Sequence, residues 1–165
     1  MKRILCIIMI AVLFAFCAFA EEETFSFREG IEWGMSQKEV LAAEGNPGYE
    51  TDDDDGVRTI EIENLTQGGA KCSIEYGFVH DALFMATIEY DLDEAAVSFD
   101  QIEDRLTQRC GTPSDFNSDI KSLLSKDDLS DLDAVTSWVL DDGTMIWLME
   151  NDDDNTIQIM VVNLA

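Results

Sequence analysis

Histidine, proline and positive charge are scarce in this sequence. It has one histidine, two prolines and ten basic residues among 165. A single histidine, His80, leaves no pair of imidazoles for a zinc site and no base for a serine or cysteine nucleophile. It falls in a turn between two strand patterns and reads as a surface residue. The chain also lacks a Gly-x-Ser-x-Gly elbow, a P-loop and the dinucleotide-binding glycine fingerprint. No catalytic, cofactor-binding or metal-binding residue is therefore nominated, and the expected function is not enzymatic. Paired carboxylates are the one acid–base device left open, because 35 acidic residues form pairs trivially.

The shortage of positive charge has its own consequence. Ten lysines and arginines against 35 acidic residues give a formal charge of −25. Such a surface repels nucleic acid and anionic membranes, and it attracts a cationic protein, a cationic surface or divalent ions. The plainer alternative is that the charge serves solubility. Acidic clusters alternate with apolar strand patterns, which is not the composition of a disordered chain.

Long apolar runs are missing too, except for one. Lys2 and Arg3 precede an unbroken apolar stretch from Ile4 to Phe19, and Ala18-Phe19-Ala20 offers small residues for cleavage. Residues 1–20 read as a secretory signal peptide cut after Ala20, with an uncleaved anchor as the alternative. Phe16 before Cys17 does not suit lipidation. The expected mature chain, Glu21 to Ala165, is one secreted or periplasmic domain with no membrane association. Losing Lys2 and Arg3 takes its formal charge from −25 to −27. Two of the four cysteines leave with the signal. Cys72 and Cys110 remain, as a disulfide closing a loop worth roughly 4 kcal/mol in the chain-entropy picture, or as two buried thiols.

What is present is best introduced by Gly34–Pro47. Ser36 with Glu39 forms a capping box, Gly45 closes the helix and Pro47 blocks continuation. A second helical pattern runs from about Glu94 to Cys110, with Phe99, Ile102, Leu106 and Cys110 on one face. Ser98 and Gln101 offer an internal capping box, so its start is uncertain by one turn. Gly111 and Pro113 repeat the Gly-x-Pro ending. Phe25-Ser26-Phe27 is expected as an edge strand or packed arm.

Strand patterns follow each helix. After an acidic loop at 52–56, Val57–Leu65 alternates with Ile60 and Ile62 inward. Ala70–Val79 places Cys72, Ile74, Tyr76 and Phe78 on one face. Leu83–Leu92 places Phe84, Ala86, Ile88 and Tyr90 there. A three-residue loop, His80–Ala82, is expected between the last two, because it sets Phe78 opposite Phe84, Tyr76 opposite Ala86 and Ile74 opposite Ile88. Residues 115–133 read as an insertion with a short helix through Ile120, Leu123 and Leu124. Ala134–Leu140 and Thr144–Glu150 flank Asp142-Gly143, a two-residue hairpin turn that would pair Trp138 with Trp147. Thr156–Leu164 is the last strand, with Ile157, Ile159 and Val161 inward.

The expected fold class is α+β: a two-layer domain with an antiparallel sheet of about six strands and two main helices on one face. It would be built from tandem helix-plus-three-strand units at 31–92 and 93–165. The opposite sheet face is more polar, carrying Ser73, Glu75, Thr87 and Glu89.

Gly34, Met35, Ser36, Val40, Gly45 and Pro47 together resemble the opening motif of the SmpA/OmlA outer-membrane assembly lipoproteins. That family's domain is similar to the beta-lactamase-inhibitor-protein fold, with helices packed on an antiparallel sheet. The resemblance covers less than a tenth of the chain. It implies the fold class and a non-enzymatic role. It does not imply membership of an assembly machine, since those proteins are usually lipidated and this surface is far more acidic.

The expected function is an exported binding or interaction module for an unknown protein or cationic surface, with Trp33, Trp138 and Trp147 as candidates for the binding face. The alternative is a weakly calcium-responsive exported protein. With Gly56 as the sixth position of an EF-hand loop, the first and twelfth positions are Thr51 and Ile62, so both required carboxylates are missing. An enzyme of unknown class is the last alternative.

Overall fold

The computed structural model describes residues 26–54, 56–114, 134–151 and 154–163. Seven strands are found among them: β1 (Glu50–Asp54), β2 (Val57–Gln67), β3 (Ala70–Val79), β4 (Ala82–Asp91), β5 (Ala134–Val139), β6 (Thr144–Asn151) and β7 (Thr156–Asn163). The two helices are α1 (Gln37–Ala43) and α2 (Phe99–Cys110). All seven strands join one antiparallel sheet in the spatial order β1-β2-β3-β4-β7-β6-β5. The chain therefore builds the sheet outside-in twice, and the last strand of each set, β4 and β7, meet in the middle.

Alternation decides which residues are buried. Across the sheet, Ile60 pairs with Tyr76, Tyr76 with Ala86, Ala86 with Val161, Val161 with Ile146 and Ile146 with Trp138. A parallel row runs Ile62, Ile74, Ile88, Ile159 and Leu148. Both rows are buried, and Val40 of α1 with Ile102 and Leu106 of α2 belong to the same apolar cluster. At about 1.5–3 kcal/mol per large side chain withdrawn from water, this cluster is the main source of stability.

The α1 segment forms as its residues dictate. The Ser36 hydroxyl accepts from the Glu39 N–H, and the Glu39 carboxylate accepts from the Ser36 N–H at 2.9 Å. The Ser36 hydrogen bonds hold the Glu39 carboxyl below its usual pKa. Gly45 takes φ +83°, and the Asn46 N–H closes back on the Leu41 carbonyl at 2.7 Å. Tertiary contacts then hold this short helix. The Gly34 N–H donates to the Leu83 carbonyl, the Leu83 N–H to the Met35 carbonyl, and the Gln37 N–H to the Asp81 carboxylate. In α2 the helix begins at Phe99 under a Ser98 cap, one turn later than Glu94.

Several expectations need correcting. The acidic stretch at 52–56 is mostly strand: Glu50–Asp54 pairs with β2 as an exposed edge, which makes the sheet seven-stranded rather than six-stranded. Charge on four of its five residues discourages pairing with another chain. Of the two alternatives expected for the segment at Phe27, the packed arm is the one found, with its ring 4.9 Å from that of Trp33 between centroids. The β3–β4 turn has two residues, His80 and Asp81, both at positive φ, so Phe78 faces Leu83. A bulge between Gly77 and Phe78 absorbs Phe84 and restores the expected pairs Tyr76–Ala86 and Ile74–Ile88.

The β5–β6 turn errs the other way. Leu140 donates to the Thr144 carbonyl, so the loop holds three residues, with Gly143 at φ +83°. Every pair shifts by one: Trp138 faces Ile146, and Trp147 faces Ser137 on the other side of the sheet. The expected Trp138–Trp147 pair does not form. Cys72 and Cys110 are free thiols, and burial raises the pKa of both. The insertion at 115–133 and Asp55, Asp152 and Asp153 lie outside the described residues. No helix among the described residues is long and apolar enough to cross a membrane.

Candidate functional site

The sheet face opposite the buried rows carries a row of carboxylates. Strand alternation places Glu61, Glu75 and Glu89 there from β2, β3 and β4. Pairing lines them up. Glu50 is directly opposite Glu61, and Glu61 is directly opposite Glu75. Glu89 stands two residues along from Thr87, the β4 partner of Glu75. Like charges directly opposite on a sheet repel and are destabilising. The Glu75 carboxyl shows it: its pKa is raised, first by partial burial and then by Glu61, Asp52 and Glu89.

Few cations answer this row. The Glu89 carboxylate accepts from the Gln158 amide at 2.7 Å. Arg58 pairs with Asp53 at 3.1 Å and Lys71 with Glu94 at 3.5 Å, both well exposed and worth little. Between the carboxylates lies a shallow groove of about 250 Å³, lined by Glu61, Ser73, Glu75, Thr87, Glu89 and Met160 among others. No group of three or more histidine, cysteine or acidic side chains among the described residues is arranged to hold a metal ion. On β1, Asp52, Asp53 and Asp54 lie on a strand, whose alternation sends neighbouring side chains to opposite faces.

The same face changes character toward β5. The row that begins Glu50, Glu61, Glu75 continues through Thr87, Met160, Trp147 and Ser137. Met145 and Met149 flank Trp147 on β6, and Val139 is exposed at the edge. The indole N–H of Trp147 is buried without a hydrogen-bond partner. Half of the face is thus carboxylate and half is methionine, tryptophan and valine. Of the three tryptophans, only Trp147 lies here. Trp138 is in the core, with its indole N–H donating to the Gly111 carbonyl at 3.1 Å, and Trp33 stacks on Phe27.

A second polar cluster was not visible in the sequence. Glu44, at the end of α1, is almost fully buried and accepts from Arg28 at 2.8 Å and from the Tyr76 hydroxyl. Arg28 also donates to the Gln67 side chain and the Thr66 carbonyl, and Gln67 donates to the Phe27 carbonyl. The hydrogen bond to Glu44 raises the Arg28 pKa, and burial raises that of Tyr76. This network fastens the N-terminal arm to α1 and the sheet. Nothing in the chain marks it, because its members lie far apart and Glu44 reads as an ordinary last-turn residue.

No protein family, no curated protein and no solved structure matches this chain.

Proposed function

We propose that the chain is an exported, non-enzymatic binding protein that receives a cationic, amphipathic protein segment on its second sheet face. The observation that carries this reading is the row Glu50–Glu61–Glu75, whose members face one another across three strands. Repulsion within the row opposes folding, and a cationic partner relieves it. The adjoining Met145, Trp147 and Met149 offer apolar contact to the same partner, and Met and Trp are favoured at interface centres. Complementary charge would raise the association rate and make it salt-dependent.

The finer architecture belongs to the same proposal. Both helices contribute to the single apolar cluster, as a two-layer domain with its helices on one face requires. The spatial order places β4 against β7, so that β2-β3-β4 and β5-β6-β7 each follow a helix and meet by their last strands, as a tandem duplication of one helix-plus-three-strand unit produces, with β1 added at the edge of the first set. The likeness of Gly34–Pro47 to the SmpA/OmlA opening motif agrees with that plan.

The test uses a basic amphipathic peptide of alternating lysine and leucine, followed by Trp147 fluorescence and calorimetry. The triple variant Glu61→Gln/Glu75→Gln/Glu89→Gln should bind it at least about tenfold more weakly, as should raising salt from about 50 to about 300 mM. Binding that ignores both the triple change and the salt would refute the reading. Calcium at about 1 mM is the companion titration. Saturable heat and a raised Tm would favour the calcium-responsive alternative.

A further inference from the structure

Among the described residues, the core is incompletely filled beside α2. A cavity of about 280 Å³ lies between α2, β4, β7 and the N-terminal arm, lined chiefly by Phe27, Ile88, Ile102, Leu106 and Ile159. The core side chains around it keep residual exposure, 5% for Ile102, 7% for Ile159 and 8% for Leu106, whereas Ile60, Ile62, Ile74, Ile146 and Leu148 elsewhere in the sheet have none. At about 30 Å³ per water-sized group, the space admits roughly nine such groups, near the lower end of ligand-site volumes.

Four polar side chains also line this space, Gln67, Tyr90, Arg105 and Arg109. Tyr90 is 4% exposed and lines the cavity, and its hydroxyl is reached by solvent and not bonded to a described residue. Burial pushes its pKa up to about 12, so the hydroxyl stays protonated and available as a donor. Arg105 lines the cavity from α2 and makes no ion pair among the described residues. Its one hydrogen bond among the described residues is a long one of 3.4 Å to the Gly68 carbonyl. Arg109, one turn further on, is held by the Ser26 carbonyl at 2.8 Å. In a chain with a formal charge of −25, two of the ten basic residues border this apolar opening.

We infer that this cavity binds a small apolar carboxylate, with its hydrocarbon body among Ile88, Ile102, Leu106 and Ile159 and its carboxylate at Arg105 and the Tyr90 hydroxyl. A neutral apolar molecule would leave the guanidinium unused, and a cation would be repelled by it. A carboxylate uses both donors through charge-assisted hydrogen bonds. The site is separate from the acidic sheet face, so either proposal stands or falls without the other.

The probe is octanoate, titrated into the purified protein by calorimetry and by NMR of the cavity methyl groups. Saturable 1:1 binding is expected, with shifts confined to α2, β4 and β7. Arg105→Gln should weaken it at least about tenfold, Arg105→Lys should restore most of it, and 1-octanol should bind about tenfold more weakly than octanoate. Arg105 is exposed, so its variants keep the fold, which circular dichroism verifies. Tyr90→Phe, which removes only the hydroxyl, should weaken octanoate severalfold. Absence of saturable binding up to about 10 mM octanoate would overturn the inference. So would equal affinity for octanoate and octanol together with indifference to Arg105→Gln, which would leave only an apolar void.

Discussion

Glu44→Ala is the perturbation that most directly probes how this fold is held. The Glu44 side chain is 5% exposed and that of its partner Arg28 is 16% exposed. Removing the carboxylate strands a largely buried guanidinium and leaves the Tyr76 hydroxyl without its acceptor. Breaking a buried ion pair from one side costs about 3–5 kcal/mol, because the remaining charge is left uncompensated. Arg28 keeps two carbonyl-type acceptors, at Thr66 and Gln67, so the lower end applies, about 3 kcal/mol. For a chain of this size that lowers Tm by about 6–12 °C. The double variant Arg28→Met/Glu44→Met should recover most of the loss, since two apolar side chains of similar length leave no buried charge. Thermal and urea unfolding of Arg28→Met, Glu44→Met and their double variant, followed by circular dichroism, complete a double-mutant cycle, with an expected coupling of about 2 kcal/mol. A loss under about 0.5 kcal/mol for Glu44→Ala, or strict additivity in the cycle, would refute the reasoning. The network also holds the arm that carries Phe27, so Glu44→Ala should weaken octanoate binding in parallel.

Glu75→Gln should act in the opposite direction. The folded protein raises the pKa of this carboxyl, so between the unfolded and folded values it binds more protons folded than unfolded, and stability falls as pH rises through that window. Neutralising it should stabilise by about 0.5 kcal/mol at neutral pH, and the gain should vanish below the ordinary glutamate range; a pH series of urea midpoints reads both. Trp147→Phe removes an N–H that is buried without a partner. It should leave stability unchanged or raise it by up to about 1 kcal/mol, and a loss above about 2 kcal/mol would show that the indole N–H is bonded after all.

The strands and their inward residues were largely legible because the alternation is clean. In β7, Gln158 between Ile157 and Ile159 leaves one choice of face. The two hairpin registers were misread where alternation fails. Met145-Ile146-Trp147-Leu148-Met149 is apolar throughout, so either set could face the core. Pairing with β7 decides it: Ile146 opposite Val161 and Leu148 opposite Ile159 turn Trp147 outward. Asp142-Gly143 tolerates a two-residue turn or the last two positions of a three-residue one, and so could not arbitrate. Leu83-Phe84-Met85 is equally ambiguous, and there the chain met both demands with a tight turn and a bulge. The β1 edge was missed because five acidic and polar residues carry no strand signal of their own. Hydrogen bonds to β2 make it a strand. The candidate surface was half legible: Glu75 and Glu89 were placed on the polar face, but their alignment with Glu61 and Glu50 needed the register.

Local chemistry alone determined the helix ends, the inward residues of most strands and the acidic character of the molecule. Caps, turn glycines and period-two alternation act within a few residues, so they can be read without knowing what lies nearby. Tertiary structure alone decided which carboxylates face one another, which tryptophan is core, how Arg28 finds Glu44, and that Arg105 and Tyr90 border the same cavity. Each of these depends on the register and docking of distant segments. Those are set by which apolar side chains fill the shared core, and a one-residue shift exchanges the two faces of a strand.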